Sequence, residues 1–187
     1  MSEQTPAHTS VRFFPHWNEY DPDQVIGFIN LIQTILAKKS VVERWVELGS
    51  LVGESANLVL AHTNIKHLIC VDASAYLIKF FSKRHQKYIA SDRCTVHNTI
   101  SHNFLREIPY NYMDVVYIDA DHGYDAVKLD IELSFLKLQK QGFLCGHDYN
   151  LEYKASPGVI LAVDEFSKKY GLEITRFLDN SWLMYKE

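Results

Sequence analysis

At 187 residues the chain has the length of one domain that can bury a sizeable core, and we expect a single domain over 1–187. Its apolar fraction of 47% and charged fraction of 22% are ordinary for a soluble globular protein. The formal net charge of −4 argues against a general nucleic-acid binder. No apolar run reaches the roughly 18 residues of a membrane-spanning helix, and the N-terminus lacks the pattern of a secretory signal. Three cysteines without metal-ligand spacing favour buried thiols in a reducing cytoplasm, namely Cys70, Cys94 and Cys145.

Residues 1–21 are polar and aromatic without a clear period, and we predict that they form an arm. A leading helix is predicted over 22–40, and the core over 41–187 then alternates strand and helix patterns with short connections. The predicted strands are Arg44–Leu48, His67–Asp72, Cys94–His97, Met113–Asp119, one centred on Gly142–Gly146, and a final pair over Leu172–Leu178 and Ser181–Tyr185. The predicted helices begin at about Glu54, Ala73, Tyr124 and Pro157, and the segment after the third strand is only weakly patterned. Such alternation predicts an α/β fold, a mostly parallel sheet with helices on both faces.

The turn after the first strand is the most informative stretch. It reads Glu47-x-Gly49-x-x-x-Gly53-x-Ser55 and leads from an apolar strand into a helical pattern. Glycines let a ligand approach the backbone, and a helix start presents unpaired N–H groups. The spacing differs from the G-x-G-x-x-G of dinucleotide-binding turns, and a carboxylate at the strand end suits a cationic or amine-bearing ligand better than a pyrophosphate. Two glycines four residues apart also occur in plain turns between a strand and a helix.

Ligands of open α/β sheets bind at the carboxyl ends of the strands, so the residues that close each strand are candidates. Asp72 closes the second strand, where a carboxylate can accept hydrogen bonds from two ribose hydroxyls, or can cap the next helix. Asn98 follows the third strand, a position that also suits a turn residue.

A second cluster of polar residues closes the fourth and fifth strands. Asp119, Asp121 and His122 lie within four residues, and His147-Asp148 ends the fifth strand. Adjacent parallel strands would bring Asp119 and the His147-Asp148 pair within reach of one divalent ion, for which carboxylate oxygens and imidazole nitrogens are sound ligands. Asp121 has a chemical role or hydrogen-bonds the following turn.

The glycine turn resembles the first motif of the class I S-adenosylmethionine-dependent methyltransferases, where it wraps the methionine part of the cofactor. The resemblance covers roughly residues 41–187 and implies a Rossmann-like sheet whose last strand is inserted antiparallel between the fifth and sixth. It implies S-adenosyl-L-methionine as cofactor. The cofactor contacts that it implies are Glu47, Gly49, Gly53, Ser55, Asp72, Asn98 and Asp119.

The strings IDADHGYDAV, GHDY and PGVILAVDEF also look like a broad bacterial family of uncharacterised class I methyltransferases, related to metal-dependent small-molecule O-methyltransferases. In those relatives an Asp ends the fourth strand, a general base follows three residues later, and a ligand pair ends the fifth strand. The resemblance makes His122 the base and Asp119, His147 and Asp148 the metal ligands. The better-understood relatives have Asp-Asn or Glu-Asp where this chain has His147-Asp148. An imidazole there weakens the case for Mg²⁺ and suits Mn²⁺, Fe²⁺ or Zn²⁺, or else His147 contacts substrate and no metal binds.

We therefore expect O-methylation of a small-molecule or sugar hydroxyl, with neither nucleic acid nor membrane as partner and with a homo-oligomer left open. A nicotinamide or nucleotide enzyme on a similar sheet is one alternative, which the absent G-x-G-x-x-G disfavours. An inactive cofactor-binding module is another, which the retained acidic and imidazole residues disfavour. Aromatic residues either pack the arm onto the domain or bind a sugar or aromatic ring, namely Phe13, Phe14, Trp17, Tyr20, Tyr149 and Tyr153.

Overall fold

The computed structural model describes residues 22–152 and 154–187. Its helices are α1 (Pro22–Lys38), α2 (Glu54–His62), α3 (Ala75–Arg84), α4 (Gln86–Ala90), α5 (Ser101–Glu107), α6 (Tyr124–Lys137) and α7 (Pro157–Tyr170). Its strands are β1 (Arg44–Leu48), β2 (His67–Asp72), β3 (Cys94–Asn98), β4 (Met113–Ile118), β5 (Leu138–Gly146), β6 (Thr175–Arg176) and β7 (Trp182–Lys186). The predicted arm, with Phe13, Phe14, Trp17 and Tyr20, lies outside the described residues, as does Tyr153.

Within the described ranges, seven strands form one sheet in the order β3-β2-β1-β4-β5-β7-β6. Neighbours among the first five are parallel, and β7 is antiparallel to both β5 and β6. This confirms the α/β prediction and the insertion of the last strand between the fifth and sixth. The strand order reverses beside β1, because β2 lies on one side of it and β4 on the other. Such a switch point is where open α/β sheets bind ligands.

The core lies on both faces of the sheet, because side chains along each central strand alternate between the two faces. All six residues of β4 are buried. Val115 and Tyr117 belong to one apolar cluster, whereas Val116 and Ile118 belong to the other. The three cysteines are buried and free, as predicted. None of the helices in the described part of the chain is long and apolar enough to cross a membrane.

Four elements differ from the sequence prediction. The helix expected from Ala73 begins two residues later and is interrupted at His85, whose backbone (φ −103°, ψ 15°) leaves the helical region. The weakly patterned segment forms α5, which buries only Phe104 and Leu105 and is therefore too short to show a clear period. The strand β5 begins at Leu138, directly after α6. The strand β6 is two residues long and exposed, because it lies at the edge of the sheet.

Candidate active site

The glycine turn after β1 is shaped by contacts within the chain itself. Gly49 has a φ of +88°, and a Cβ atom there would lie 1.9 Å from the carbonyl oxygen of Asp119. Gly53 has a φ of +81°, and a Cβ atom there would lie 2.4 Å from Cε1 of His85. Both positions therefore need glycine for the backbone conformation and for close packing. The turn approaches the end of β4 closely, which brings the candidate cofactor turn next to Asp119.

Glu47 lies beneath this turn and is 1% exposed. Its carboxylate accepts a hydrogen bond from the hydroxyl of Ser55, the second residue of α2, and the Sγ atom of Cys70 lies 3.8 Å away. Burial raises the pKa of Glu47 to about 8, although the Ser55 hydrogen bond acts in the opposite direction; the negative charge of Asp119 adds to the rise. Glu47 and Ser55 therefore tie the end of β1 to the start of α2, and a positive charge bound nearby would favour the ionised carboxylate.

Asp72 connects the end of β2 to the glycine turn. One carboxylate oxygen accepts the N–H of Leu51 at 2.8 Å, and the other accepts the N–H of Ser74 at 2.7 Å. The N-cap of α3 is Ser74, whose hydroxyl accepts the N–H of Leu77, so the capping role belongs to Ser74. Each Asp72 oxygen retains a lone pair, since a carboxylate can accept about four hydrogen bonds. Asn98 donates its side-chain amide to the Asp72 carbonyl at 3.0 Å and holds the ends of β2 and β3 together.

Two carboxylates and an imidazole meet at the ends of β4 and β5. Nε2 of His122 lies 3.0 Å from Oδ2 of Asp148 and 3.6 Å from Oδ1 of Asp119. The three side chains each offer a ligand atom, and these atoms lie within 4.8 Å of one another. Backbone bonds fix the strand ends, because Asp119 N–H donates to Leu48 on β1 and His147 N–H donates to Ile118 on β4. The cluster can hold either a proton on the imidazole or a cation between the carboxylates.

Charge in this cluster is strongly coupled. Hydrogen bonds to Asp119 and Asp148 raise the pKa of His122 to about 10. Hydrogen bonds from His122 and His147 in turn hold the pKa of Asp148 well below its usual range. Asp148 has a φ of +63°, a left-handed conformation that Asp tolerates better than most residues and that is enriched at functional sites. Without a bound cation, the two carboxylates therefore favour the imidazolium form of His122.

His147 and Asp121 lie beside the cluster. Nδ1 of His147 is 3.6 Å from the Asp148 carboxylate, and the described trio of possible ligands contains His122 in its place. Burial lowers the pKa of His147, but the nearby carboxylates of Asp148 and Asp119 outweigh it and raise the pKa to about 9. Asp121 is exposed and accepts the N–H of Gly123 at 2.7 Å, which is the turn role.

The sequence did not reveal a buried polar group that lies behind His147. Asp179 accepts hydrogen bonds from the backbone N–H and hydroxyl of Ser181, and that hydroxyl lies 3.2 Å from the phenolic oxygen of Tyr117. All three are buried, and the charge of Asp179 contributes to the raised pKa of His147. The Asp179-Asn180 pair signals only a turn in the sequence, so its proximity to the site follows from the insertion of β7.

Comparison with known proteins identifies the class. The fold is that of the class I S-adenosylmethionine-dependent methyltransferases. A family described as "Methyltransferase domain" matches residues 46–149, which is more than half of the chain and runs from the glycine turn past Asp148. The chain belongs to this methyltransferase family.

A relative and several solved structures are similar over much of the chain. An uncharacterised protein of Acanthamoeba polyphaga mimivirus is 28% identical over 131 residues, which are 65% of this chain and 58% of that protein. The chain thus spans somewhat more than half the length of this curated relative. The O-methyltransferase from Bacillus cereus, in complex with S-adenosylhomocysteine (SAH), has a TM-score of 0.66 at 13% identity and covers 87% of this chain and 81% of its own.

Two further similar structures show that this fold is shared by enzymes with different names. The SAH-bound methyltransferase of Podospora anserina has a TM-score of 0.65 at 16% identity, over 86% of this chain and 78% of its own. Spermidine synthase from Thermotoga maritima has a TM-score of 0.56 at 16% identity, over 78% of this chain and 53% of its own. Because enzymes with different names share the sheet, the reaction must be argued from the site.

Proposed function

We propose that this domain transfers the methyl group of S-adenosylmethionine to a hydroxyl of a small molecule, with help from a divalent cation. The observation that carries the proposal is the meeting of Asp119, His122 and Asp148 beside the glycine turn, at the carboxyl edge of the sheet. The glycine turn follows β1. Asp119, His122 and Asp148, here called the acid–imidazole cluster, follow the neighbouring strand β4 and the next strand β5. A methyl donor and an acceptor hydroxyl can therefore be held against each other, which is the main requirement of the reaction.

The cofactor side of the site is the edge formed by β1, β2 and β3. Asp72 has acceptor capacity left for ribose hydroxyls while it holds the turn through Leu51. Asn98 is exposed beside it and is proposed as an adenine contact. The buried Glu47–Ser55 pair supports the glycine turn from below. Family membership and the relatives described as SAH complexes support S-adenosylmethionine as the donor.

The residues present fit a divalent cation. Asp119 and Asp148 supply carboxylate oxygens that lie within 4.8 Å of one another, and His147, whose Nδ1 is 3.6 Å from the Asp148 carboxylate, is the proposed imidazole ligand, so that His122 stays free to act as a base. This mixed set of ligands favours Mn²⁺, Fe²⁺ or Zn²⁺ over Mg²⁺. A bound cation lowers the pKa of a coordinated hydroxyl and fixes its position. Asp119 and Asp148 also hold the positive charge of His122 when no cation is present.

His122 is the proposed general base. It lies three residues beyond Asp119 and reaches back to both carboxylates of the cluster. An imidazole can accept the acceptor's proton only when it is neutral, and the two carboxylates stabilise its charged form. Partial neutralisation of Asp119 and Asp148 by a cation would lower the pKa of His122 toward its ordinary value. Binding of a cation at Asp119 and Asp148 would therefore also make His122 a base that is neutral at a lower pH.

Calorimetry of the purified chain with S-adenosylmethionine and SAH, with and without Mn²⁺ or Mg²⁺, tests the proposal. Turnover on a panel of hydroxylated small molecules should then stop in EDTA and return with a divalent cation. Binding of NAD with no binding of SAH would refute the assignment of the cofactor. Full turnover in EDTA would leave the methyl transfer in place and reassign Asp119 and Asp148 to direct contact with substrate.

A further inference from the structure

A groove of about 530 Å³ opens at the carboxyl edge of the sheet, the edge that also carries the acid–imidazole cluster. Its lining comes from the segment after β5, from the end of β6 and the turn into β7, and from the start of α1. Because β6 runs parallel to β5, these segments all lie at the carboxyl edge of the sheet. A larger cavity of about 610 Å³ contains the end of β7, which is antiparallel to β5, and so it lies toward the opposite edge. Of these two cavities, the first lies at the same edge of the sheet as the candidate site.

The groove is held in a fixed relation to the cluster by the backbone. Tyr149, which lines it, follows Asp148 directly, and its N–H donates to the carbonyl of Asn180 at 2.9 Å. On the far side, Phe177 N–H donates to the carbonyl of Ser181 at 2.9 Å and closes the turn between β6 and β7. A molecule in the groove therefore contacts the residue that directly follows Asp148 in the chain. The volume is within the range of roughly 300–1,000 Å³ found for small-molecule pockets.

Arg176 is the cation of this groove. Its side chain is exposed, and among the described residues it has neither a hydrogen bond nor an ion pair. A guanidinium presents two parallel N–H donors that match a carboxylate. Arg176 thus offers an unused binding group for an anion.

The rest of the lining limits which anion can enter. Glu152 adds a negative charge, which would repel a second anionic group on the ligand. Leu178, which is 64% exposed, and Leu151, which is 38% exposed, add apolar surface. The groove therefore combines one cation, polar amides and apolar side chains. A molecule with a single carboxylate and a compact body suits this combination better than a phosphate monoester, which carries up to two charges.

We infer that this groove binds the methyl acceptor and that Arg176 recognises a carboxylate on it, so that the acceptor is a hydroxylated monocarboxylic acid. This inference rests on the proposed function, since it assigns the hydroxyl to the cluster and the carboxylate to the far end of the groove. Arg176 is a specificity residue and has no part in the proton transfer.

The test uses the full chain loaded with SAH and Mn²⁺ and compares acids with their neutral counterparts. Two matched pairs are dihydroxybenzoate with dihydroxybenzamide, and glucuronate with glucose. We expect at least one acid to bind the loaded enzyme about 10- to 100-fold more tightly than its neutral counterpart, the range of a charge-assisted hydrogen bond. Arg176→Gln should remove that preference, and Arg176→Lys should retain part of it.

Arg106→Gln is the matched control, because Arg106 is an exposed arginine on α5, outside the groove lining. It removes the same charge and should keep the preference for the acid. With S-adenosylmethionine as donor, Arg176→Gln should raise KM for the acid and leave kcat nearly unchanged, as expected for a remote binding contact. Equal binding of acid and neutral partner, or no binding of any acid while SAH binds, would overturn the inference alone. Failure of SAH itself to bind would overturn both the inference and the proposed function.

Discussion

His85 is buried in the short break between α3 and α4, next to Gly53 of the glycine turn. Its Nδ1 donates to the carbonyl of Phe81 at 3.1 Å, and its buried Nε2 has no partner among the described residues. Burial lowers the pKa of His85 from 6.5 to about 4. The unfolded chain therefore takes up a proton on this residue at a higher pH than the native protein does.

The free energy of unfolding should consequently fall as pH decreases from about 6.5 to about 4 because of His85, by at most about 3 kcal/mol. Above about pH 6.5 both states are neutral at this residue, and the effect is absent. Urea unfolding at several pH values should show a weaker acid dependence for His85→Gln than for the wild type. His62→Gln, at an exposed position on α2, is the control. Identical acid dependence in all three proteins would remove His85 as the cause.

His122 gives a prediction about catalysis. His122→Ala should lower kcat by roughly 10²–10⁴-fold, the usual contribution of a general base, with little change in SAH affinity. Since the base must be neutral, the rate at saturating Mn²⁺ should rise with pH through an apparent pKa below the value of about 10 that the two carboxylates give His122 without a cation. If kcat of His122→Ala stayed within about threefold of the wild-type value, His122 would not be the base. The rate would then depend on the cation and on the proximity of the two substrates.

Asp72 gives a prediction about cofactor binding. Asp72→Ala should weaken SAH binding by about 1–3 kcal/mol, because it removes the proposed ribose contacts and the support of Leu51. Ser74→Ala separates binding from stability, since it removes the N-cap of α3 and leaves the Asp72 carboxylate in place. That control should lose about 1 kcal/mol of stability and keep its SAH affinity by calorimetry. Wild-type SAH affinity in both variants would argue that Asp72 does not contact the cofactor and only supports the turn.

At the scale of elements, the contact between the glycine turn and β4 decides how the site is assembled. Gly49 and Gly171 both have positive φ, but only Gly49 faces other atoms, whereas a Cβ at Gly171 would meet nothing within 4 Å. Gly171→Ala should therefore cost about 1 kcal/mol for the left-handed backbone alone. Gly49→Ala should cost on the order of 3 kcal/mol or more, because the Asp119 peptide must also move. Urea unfolding midpoints measure both, and equal losses would show that the close approach is not rigid.

Displacement of Asp119 should also weaken the cation site. We therefore expect Gly49→Ala to bind Mn²⁺ less tightly than Gly171→Ala in the same calorimetric titration. Unchanged Mn²⁺ affinity in a destabilised Gly49→Ala protein would mean that the turn and the acid–imidazole cluster are mechanically independent.

At the scale of the whole molecule, the site is formed by the ends of strands that are distant in sequence, so ligands should stabilise the fold. SAH at a hundred times its Kd should add about 2.7 kcal/mol and raise Tm by roughly 5–10 °C. Mn²⁺ should add its own shift. Asp148→Asn should retain the SAH shift and lose most of the Mn²⁺ shift, and Asn is tolerated at its positive φ. An unchanged Mn²⁺ shift in this variant would place the cation elsewhere.

The sequence by itself determined the fold class and the strands that carry the candidate site. The continuous apolar run of β4 indicates a strand buried on both faces, and Asp119 directly after it indicates a polar strand end. Both features can be read from a short stretch of sequence. Asp72 and Asp148 follow their strands in the same way. Local pattern failed where an element was too short to show a period, as in α5, or lay at the sheet edge, as in β6.

Only the tertiary structure decided which of these residues meet. The 3.0 Å contact of His122 with Asp148 joins two loops that follow different strands, and the sequence pattern of neither loop encodes it. The glycines, expected to admit a ligand, are also required by contacts of the turn with Asp119 and His85. The reason is that hydrophobic periodicity encodes which face of an element is buried, whereas distances between loop side chains depend on strand order, register and turn geometry together.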